Sequence, residues 1–337
     1  MINVGLFGAT GYTGFETLKI LKNHPHVRLK FATSESSEGQ LYSEVYPVPW
    51  DISLVSSERA DLAGVDAVFC CLPHAASIPT VRRAREAGLR IIDLSADFRL
   101  KDVAAYEKWY GIEHTAPDLM AEAVYGLCEV NRPAIRETDL LAVPGCYPTS
   151  ILLALYPLLK ENLLNPTMPL IADSKSGVSG AGRKLSLKTH FVEANENLSP
   201  YNIGQKHRHT AEIQETLEAW GGSDLPFIFS PHLVPVSRGM LSTVYTSLAQ
   251  DMTASDAQAY FAETYESEPL VRVLPPGELA TFAHTQRNNS CALSVTWVNE
   301  RQLIICASID NLGKGAAGQA VQNFNIMFGV EETTALV

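Results

Sequence analysis

The fold is decided by residues 2–14, INVGLF followed by GATGYTG. The apolar residues 2–7 predict a short strand, and a helical pattern follows the glycines directly. Strand, glycine turn and helix in this order are typical of a dinucleotide site, because glycines let the backbone approach a pyrophosphate at a helix N-terminus. The spacing is G-x-x-G-x-x-G and not the commoner G-x-G-x-x-G. The turn predicts cofactor contacts from Gly8, Thr10, Gly11, Tyr12, Thr13 and Gly14.

The end of the second predicted strand, residues 27–32, indicates which dinucleotide is bound. NAD-specific folds usually place an acidic residue there, which holds the ribose 2′-hydroxyl. Here the strand runs into Thr33-Ser34-Glu35-Ser36-Ser37. Hydroxyl groups hydrogen-bond a 2′-phosphate without repelling it, although Glu35 complicates this interpretation and no arginine adjoins it. We expect NADP(H), with Ser34 and Ser36 among its ligands.

Further apolar segments at 65–72, 89–94 and 140–143 alternate with helical patterns. This alternation predicts an α/β fold with a doubly wound parallel sheet of five or six strands, of the Rossmann type. Such sheets bind ligands at the carboxyl ends of their strands. Leu72, Pro73 and His74 are therefore candidate cofactor contacts, and Arg99 is a candidate anion ligand. His74 as an ordinary loop histidine, and Arg99 paired with Asp97, remain alternatives.

Cys146 follows the strand at 140–143 in the segment VPGCYPTS, residues 143–150. Pro144 and Gly145 end the strand, and the apolar residues 151–159 predict a helix. A thiol at a helix N-terminus is more often ionised, and the thiolate is the nucleophile. The alternative is a small buried cysteine with a packing role.

The second half predicts another α+β domain with its own mixed sheet. Strands are expected at 170–175, 227–236, 240–248, 291–298 and 303–309, with helices at 209–220, ending at Gly221-Gly222, and at 255–265. The loop after the first of these strands is rich in glycine, serine and arginine, which suits a phosphate or the nicotinamide end of a cofactor. Its candidate cofactor ligands are Ser176, Gly177, Ser179 and Gly180.

The segment HRHTAE at 207–212 carries the candidate proton-transfer groups. His209 and Glu212 are three residues apart and share a helix face, so the carboxylate is able to orient the ring. His207 is a second candidate. Ordinary surface histidines are the alternative, and no metal site is expected because neither thiols nor carboxylates stand at ligand spacing.

The composition of the chain argues against several classes of protein. The chain has 337 residues, 46% of them hydrophobic and 19% charged, with a net charge of −11, which argues against a nucleic-acid surface. No apolar run approaches the ~18 residues of a membrane span, and no signal peptide is expected. Six cysteines without a C-x-x-C motif indicate neither a zinc site nor a disulfide framework. A reducing cytoplasm is the expected location.

Three motifs now coincide: GATGYTG at 8–14, PGCYPT at 144–149 and HRHTAEI at 207–213. With SADFR at 95–99, SGVSGAGR at 176–183 and DNLGKG at 310–315, the whole chain resembles the N-acetyl-γ-glutamyl-phosphate reductases, which are related to the aspartate-semialdehyde and glyceraldehyde-phosphate dehydrogenases. One departure is Cys128, where we expect proline. The resemblance implies a Rossmann domain at 1–146 with 311–337, a glyceraldehyde-phosphate dehydrogenase-like catalytic and oligomerisation domain at 147–310, and a homodimer or homotetramer.

The resemblance also implies an NADPH-dependent reduction of N-acetyl-L-glutamyl 5-phosphate to the 5-semialdehyde and phosphate, in arginine biosynthesis. Cys146 would form a thioester, and His209, oriented by Glu212, would donate the proton, with His207 as second candidate or substrate contact. Asn311 would contact the cofactor. The small-molecule acyl phosphate would be bound by three arginines whose individual roles the sequence leaves open: Arg99, Arg183 and Arg208.

Other functions remain as alternatives. One alternative is the reduction of another acyl phosphate, either aspartyl phosphate or a carrier-bound aminoadipyl phosphate. The net charge of −11 disfavours an acidic protein-bound substrate. A dinucleotide-sensing binding protein with a structural Cys146 is the alternative from a different class.

Overall fold

A computed structural model of the protein describes residues 1–221 and 225–337. Gly222, at the predicted end of one helix, lies outside the described residues. The chain forms two compact units, one of Met1–Pro144 with Ala316–Val337 and the other of Gly145–Gly315. Across the described residues, no helix has both the length and the apolar composition to cross a membrane.

The first unit is built on a seven-stranded sheet. Its strands, in chain order, are β1 (Ile2–Phe7), β2 (Val27–Thr33), β3 (Leu54–Val55), β4 (Ala67–Cys70), β5 (Arg90–Asp93), β6 (Val124–Tyr125) and β7 (Leu140–Ala142). Their spatial order is β3-β2-β1-β4-β5-β7-β6, and every pair is parallel. The predicted doubly wound sheet is confirmed. It exceeds five or six strands because β3 and β6 have only two residues each, too few to show a pattern.

Helices connect these strands, as is usual for parallel pairing, except between β3 and β4. They are α1 (Tyr12–Asn23), α2 (Tyr42–Val45), α3 (Ser77–Glu86), α4 (Val103–Tyr110), α5 (Pro117–Glu122) and α6 (Cys128–Glu137). Gly111 ends α4 in the left-handed conformation, with φ +71°, which glycine adopts without strain. The side chain of Asp102 caps the start of α4 by accepting the Ala104 N–H.

The second unit contains a mixed sheet of seven strands. They are β8 (Leu170–Gly177), β9 (Ser199–Pro200), β10 (Phe227–Val234), β11 (Met240–Ser247), β12 (Val271–Val273), β13 (Cys291–Asn299) and β14 (Gln302–Ile309). Their order is β12-β13-β14-β11-β8-β10-β9. The pairs β8–β10 and β12–β13 are parallel and the others antiparallel, which confirms the predicted mixed sheet.

The remaining helices are α7 (Cys146–Lys160), α8 (Phe191–Ala194), α9 (His209–Ala219), α10 (Ala254–Tyr265), α11 (Phe282–Thr285) and α12 (Gly318–Met327), of which α12 belongs to the first unit. Short 3₁₀ turns lie at Val178–Ala181 and Leu187–Thr189, and a π turn at Gly313–Ala317 precedes α12.

The core of the second unit is α7. Residues Ile151 to Leu155 are all fully buried. Each such leucine or isoleucine contributes roughly 1.5–3 kcal/mol by leaving water. The Tyr265 hydroxyl of α10 donates to the Leu153 carbonyl at 2.6 Å, which fixes a second helix against α7. This packing makes the start of α7, and thus Cys146, a rigid position.

Candidate active site

The glycine turn of the first unit is shaped for close approach. Gly8 has φ +74°, and a Cβ there would lie 2.3 Å from the Cys71 carbonyl oxygen. A Cβ on Gly14 would lie 2.2 Å from the Gly8 oxygen, whereas one on Gly11 would meet nothing nearer than 3.8 Å. Gly11 is the N-cap of α1 and no side chain caps this helix. The turn therefore presents an open helix N-terminus, which suits a pyrophosphate.

Hydroxyl groups surround the far end of the turn. Thr10 Oγ1 and Ser34 Oγ lie 2.8 Å apart, and Ser34 Oγ lies 3.5 Å from Ser36 Oγ. The Glu35 carboxylate accepts the Ser57 N–H at 2.9 Å, and hydrogen bonds from Ser57 lower its pKa. Glu35 is thus held by the backbone just after β3, while the hydroxyls lie beside the glycine turn. The structure brings together the residues predicted to hold a 2′-phosphate.

His74 lies on the loop after β4 together with Leu72 and Pro73. Its Nδ1 accepts the Ala96 N–H at 3.1 Å, and its ring packs edge-on against Tyr110 at 5.4 Å. These contacts hold the loop that follows β5. Contact with a cofactor stays a prediction for all three residues.

Arg99 is 9% exposed and binds backbone carbonyls. Its Nε–H donates to Val143 at 2.8 Å, and Nη2 donates to Leu94 at 3.0 Å. Five N–H donors on a guanidinium allow an anion as well as these carbonyls. A role in substrate binding stays a prediction.

Two buried acids lie beside Arg99, and of these only Asp97 was considered from the sequence. Asp93 accepts hydrogen bonds from the hydroxyls of Ser77 and Ser95, and burial raises its pKa to about 7. Asp97 accepts the Tyr106 hydroxyl at 2.8 Å. Asp97 therefore has a hydrogen-bond partner other than Arg99. Its spacing from Tyr106 in the sequence does not predict this hydrogen bond.

Cys146 is the first residue of α7, after the N-cap Gly145, and is partly exposed. No side chain caps the helix at its N-cap position. The Gly145 N–H donates instead to Glu212 Oε1 at 2.8 Å, and Glu212 is only 2% exposed. A carboxylate from α9 thus holds the turn that presents the thiol. The predicted position of Cys146 at a helix start is what the structure shows.

His207 and His209 lie together in an aromatic cluster. The centroid of the His207 ring is 4.9 to 5.4 Å from those of Tyr147, Tyr201, His209 and Phe229. Its Nδ1 accepts the His209 N–H at 3.1 Å. Burial, and secondarily the neighbouring Arg208 guanidinium, lower the pKa of His207 to about 4. His207 is therefore neutral at pH 7.

Two tyrosines complete this cluster. Tyr147 is 2% exposed, accepts the Tyr201 hydroxyl at 2.9 Å, and donates to the His232 carbonyl at 3.3 Å. Burial raises the pKa of both hydroxyls, and the charge of Cys146 adds to each rise. Tyr147 was missed although it adjoins Cys146 in the sequence, because only the fold brings Tyr201 to it. Within the described residues, no group of three or more His, Cys, Asp or Glu could hold a metal ion.

The glycine loop after β8 is closely packed. A Cβ on Gly177 would lie 2.8 Å from the Arg238 backbone, and Gly177 N–H donates to the Gly239 carbonyl at 2.9 Å. Asn311 Nδ2 donates to Ser179 Oγ at 2.9 Å, and Asn311 Oδ1 accepts the Gly239 N–H at 2.8 Å. The structure thus brings together the predicted ligands Ser176, Gly177, Ser179, Gly180 and Asn311. Their contact with a cofactor stays a prediction.

Arg183 and Arg208 are both exposed. Arg208 adjoins both histidines, and Arg183 lies beyond the glycine loop. Both stay predicted substrate ligands.

Two family models match the chain, and both describe semialdehyde dehydrogenases. The NAD binding domain matches residues 3–138, and the dimerisation domain matches residues 146–311. The first match confirms that the glycine turn belongs to a nicotinamide dinucleotide domain.

Full-length relatives narrow the class. N-acetyl-gamma-glutamyl-phosphate reductase of Desulforudis audaxviator is 48% identical over 100% of this chain and 98% of its own length. The protein of the same name from Pelotomaculum thermopropionicum is 48% identical over 99% of this chain and 97% of its length. The chain belongs to the N-acetyl-gamma-glutamyl-phosphate reductase family, which confirms the resemblance drawn from the three motifs.

Solved structures support the fold. Aspartate semialdehyde dehydrogenase II from Vibrio cholerae, complexed with ASA, has a TM-score of 0.75 at 20% identity, covering 98% of both chains. Aspartate semialdehyde dehydrogenase with NADP from Candida albicans has a TM-score of 0.71 at 14% identity, covering 97% of this chain and 98% of that one.

Proposed function

We propose that the protein catalyses the NADPH-dependent reduction of N-acetyl-L-glutamyl 5-phosphate to N-acetyl-L-glutamate 5-semialdehyde and phosphate, a step of arginine biosynthesis. The relatives at 48% identity carry the name of this activity. The observation that carries the proposal is Cys146, partly exposed at the first residue of α7 and adjoined by the aromatic cluster that contains His207 and His209.

Cys146 is the nucleophile in this mechanism. Its thiolate attacks the acyl carbon, the C–O bond to phosphate breaks, and an acyl thioester remains on Sγ. Backbone N–H groups at the start of α7 stabilise the oxygen that becomes negative. Gly145 N–H is not one of these groups, because Glu212 accepts it at 2.8 Å.

NADPH, when held by the glycine turn, would supply the hydride for reduction of the thioester carbon. A histidine then protonates the oxygen and takes the proton back as the C–S bond breaks, which releases the aldehyde and the thiolate. We assign this role to His209. His207 has a pKa of about 4, so at pH 7 almost none of it is in the charged form that donates a proton. His207 instead accepts the His209 N–H and fixes the start of α9.

The predicted orientation of His209 by Glu212 stays part of the proposal. Glu212 also has a second role, since its carboxylate holds Gly145. The three arginines, Arg99, Arg183 and Arg208, are kept as ligands of the substrate carboxylate and phosphate, because a planar guanidinium matches both groups.

The cofactor fits the first unit. A side chain on Gly8 or Gly14 would fill the turn, and the start of α1 has no side-chain cap. The turn would hold the pyrophosphate, and Thr10, Ser34 and Ser36 would donate to a 2′-phosphate, which favours NADP(H) over NAD. We assign cofactor binding to residues 1–146 with 311–337, and substrate binding and assembly to 147–310, although the compact units of the structure divide the chain after Pro144 and after Gly315.

Assembly as a homodimer or homotetramer is part of the proposal. The second unit matches a dimerisation domain, and a segment of it exposes large apolar side chains. The exposed fractions are Leu185 97%, Leu187 76%, Phe191 76%, Val192 71% and Leu198 57%. A second copy that covers this segment would remove an unusual apolar surface from water. Sedimentation equilibrium tests this assembly, and a monomer at micromolar concentration would contradict it.

We place the enzyme in the cytoplasm, where its six cysteines stay reduced.

The reverse reaction tests the proposed activity, because the aldehyde is more stable than the acyl phosphate. The protein is mixed with N-acetylglutamate semialdehyde, phosphate and NADP, and NADPH absorbance is followed. We expect a signal that requires phosphate. Activity with aspartate semialdehyde alone would change the substrate, and tight NADP binding without activity on any aldehyde would favour a sensor.

A further inference from the structure

Asp310 is a fully buried carboxylate that joins three loops of the second unit. It accepts Arg238 Nε–H on both oxygens, at 3.1 and 2.8 Å. Oδ2 also accepts the Arg287 N–H at 2.6 Å. Oδ1 accepts the N–H groups of Leu312 and Gly313 at 2.9 and 3.1 Å. Four donors on one carboxylate fix the turn that begins at Asp310.

The backbone of this turn packs against Cys146, the proposed nucleophile. The Asp310 carbonyl accepts the Gly315 N–H at 2.9 Å. A Cβ on Gly315 would lie 2.8 Å from Cys146 Cβ and 3.3 Å from its Cα. The backbone at Gly315 is therefore in contact with Cys146, and Asp310 fixes where that contact falls.

Arg238 connects the same carboxylate to the glycine loop. Its side chain is 12% exposed, and its backbone lies 2.8 Å from where a Gly177 Cβ would be. The loop at Gly177 is hydrogen-bonded to residues 236–239, through Val178 and Ser179 as well as Gly177. The Arg238–Asp310 pair therefore spans from the glycine loop to the backbone that supports Cys146.

We propose that Arg238 and Asp310 are positioning residues that hold Cys146 and the glycine loop in their reactive arrangement. The inference rests on the proposed function. Changing one partner of a buried ion pair with good geometry is costly, because the remaining charge is left where little water reaches it. A guanidinium Nε–H aimed between two carboxylate oxygens is a contact that lysine cannot reproduce.

Arg238→Lys tests the proposal because it keeps the charge and most of the side-chain volume. Two quantities are measured: kcat in the reverse reaction, and the rate at which iodoacetamide alkylates Cys146 without cofactor, followed by peptide mass spectrometry. We expect kcat to fall about 100-fold, since a displacement near 1 Å costs on that order. Alkylation of Cys146 should slow several-fold as the thiol leaves its place at the helix start.

Arg132→Lys is the matched control. Arg132 binds Glu332 through Nε and Nη2 at 2.9 and 3.1 Å, in the first unit, with side-chain exposures of 23% and 16%. The Arg132→Lys variant should have a lower melting temperature but the wild-type kcat and the wild-type rate of Cys146 alkylation. If Arg238→Lys does not yield folded protein, Arg238→Gln, which retains a donor, replaces it.

The outcomes separate the inference from the function on which it rests. An Arg238 variant that matches Arg132→Lys in both kcat and alkylation would overturn the positioning role. A wild-type protein inactive on the aldehyde would contradict the proposed function instead, and the alkylation rates would still test the positioning of Cys146.

Discussion

Gly315 gives the sharpest test of how the nucleophile is held. A methyl group at Gly315 would lie 2.8 Å from Cys146 Cβ, 3.3 Å from Cys146 Cα and 3.2 Å from the Asp310 carbonyl oxygen. Carbon atoms in contact lie about 3.5–4.0 Å apart, so Gly315→Ala must open this contact by roughly 1 Å. Because α7 is packed in the core, the turn at Gly315 or the thiol itself must move.

The cost follows from that displacement. Overpacking of this kind costs about 1–3 kcal/mol, partly offset by the gain of about 1 kcal/mol from replacing glycine in a helical turn. A displaced nucleophile loses about 100-fold in rate. We therefore expect Gly315→Ala to lower kcat of the reverse reaction about 100-fold while the melting temperature changes only modestly.

Gly126→Ala is the control for overpacking alone. A Cβ on Gly126 would lie 2.9 Å from Leu141 Cδ2 and 3.0 Å from the Asn323 side chain, within the first unit. This variant should lose stability and keep its kcat. If Gly315→Ala is folded and turns over at the wild-type rate, the turn does not set the position of Cys146, and the reasoning is refuted.

Three further predictions concern other residues. Glu212→Ala should lower the free energy of unfolding by about 1–3 kcal/mol, because it leaves the buried Gly145 N–H unpaired. Glu212→Gln keeps an acceptor oxygen and should retain most of this free energy. Equal losses for the two variants in urea titration would contradict the role of Glu212 as acceptor of the Gly145 N–H. His207 resists protonation when folded and accepts a proton near pH 6.5 when unfolded, so its contribution is complete above pH 6.5 and is lost as the pH falls toward 4. Urea titrations at pH 7 and 5 should show ~2 kcal/mol less pH-dependent loss in His207→Gln than in wild type, and equal losses would exclude this assignment. Gly14→Ala would place a Cβ 2.2 Å from a backbone oxygen of the glycine turn, so it should weaken NADP binding in equilibrium fluorescence; unchanged affinity would remove the turn from the cofactor site.

Local patterns predicted much of the fold. The strand at residues 2–7 has the predicted bounds. The apolar run at 151–159 lies within a helix as predicted, but α7 begins earlier than that run, at Cys146. The helix predicted at 255–265 starts one residue earlier, at Ala254. Ser255 with Gln258 three residues on has the form of a capping box, but Thr253 caps this helix by accepting the Asp256 N–H. Several hydroxyl and acidic residues in a row offered more than one cap.

The contacts that hold the site in place could not be predicted from the sequence. Asp310 and Arg238 are 72 residues apart, and Glu212 and Gly145 are 67 apart. Spacing arguments apply within a helix or a strand, and no periodicity relates such pairs. Glu212 was identified through its spacing from His209, which gave no sign that its carboxylate accepts the Gly145 N–H. The signal that existed for Asp310 and Gly315 was the motif DNLGKG, which marks the segment without saying what it contacts.

The thioester on Cys146 is the central claim, and one measurement tests it most directly. N-acetylglutamate semialdehyde and NADP are mixed with the protein without phosphate, so that the acyl group has no acceptor other than slow hydrolysis. The account predicts a burst of about one NADPH per active site, together with an acyl adduct on the peptide that contains Cys146, and neither in Cys146→Ala. A burst that persists in Cys146→Ala, or wild-type turnover with phosphate but no adduct without it, would contradict the account.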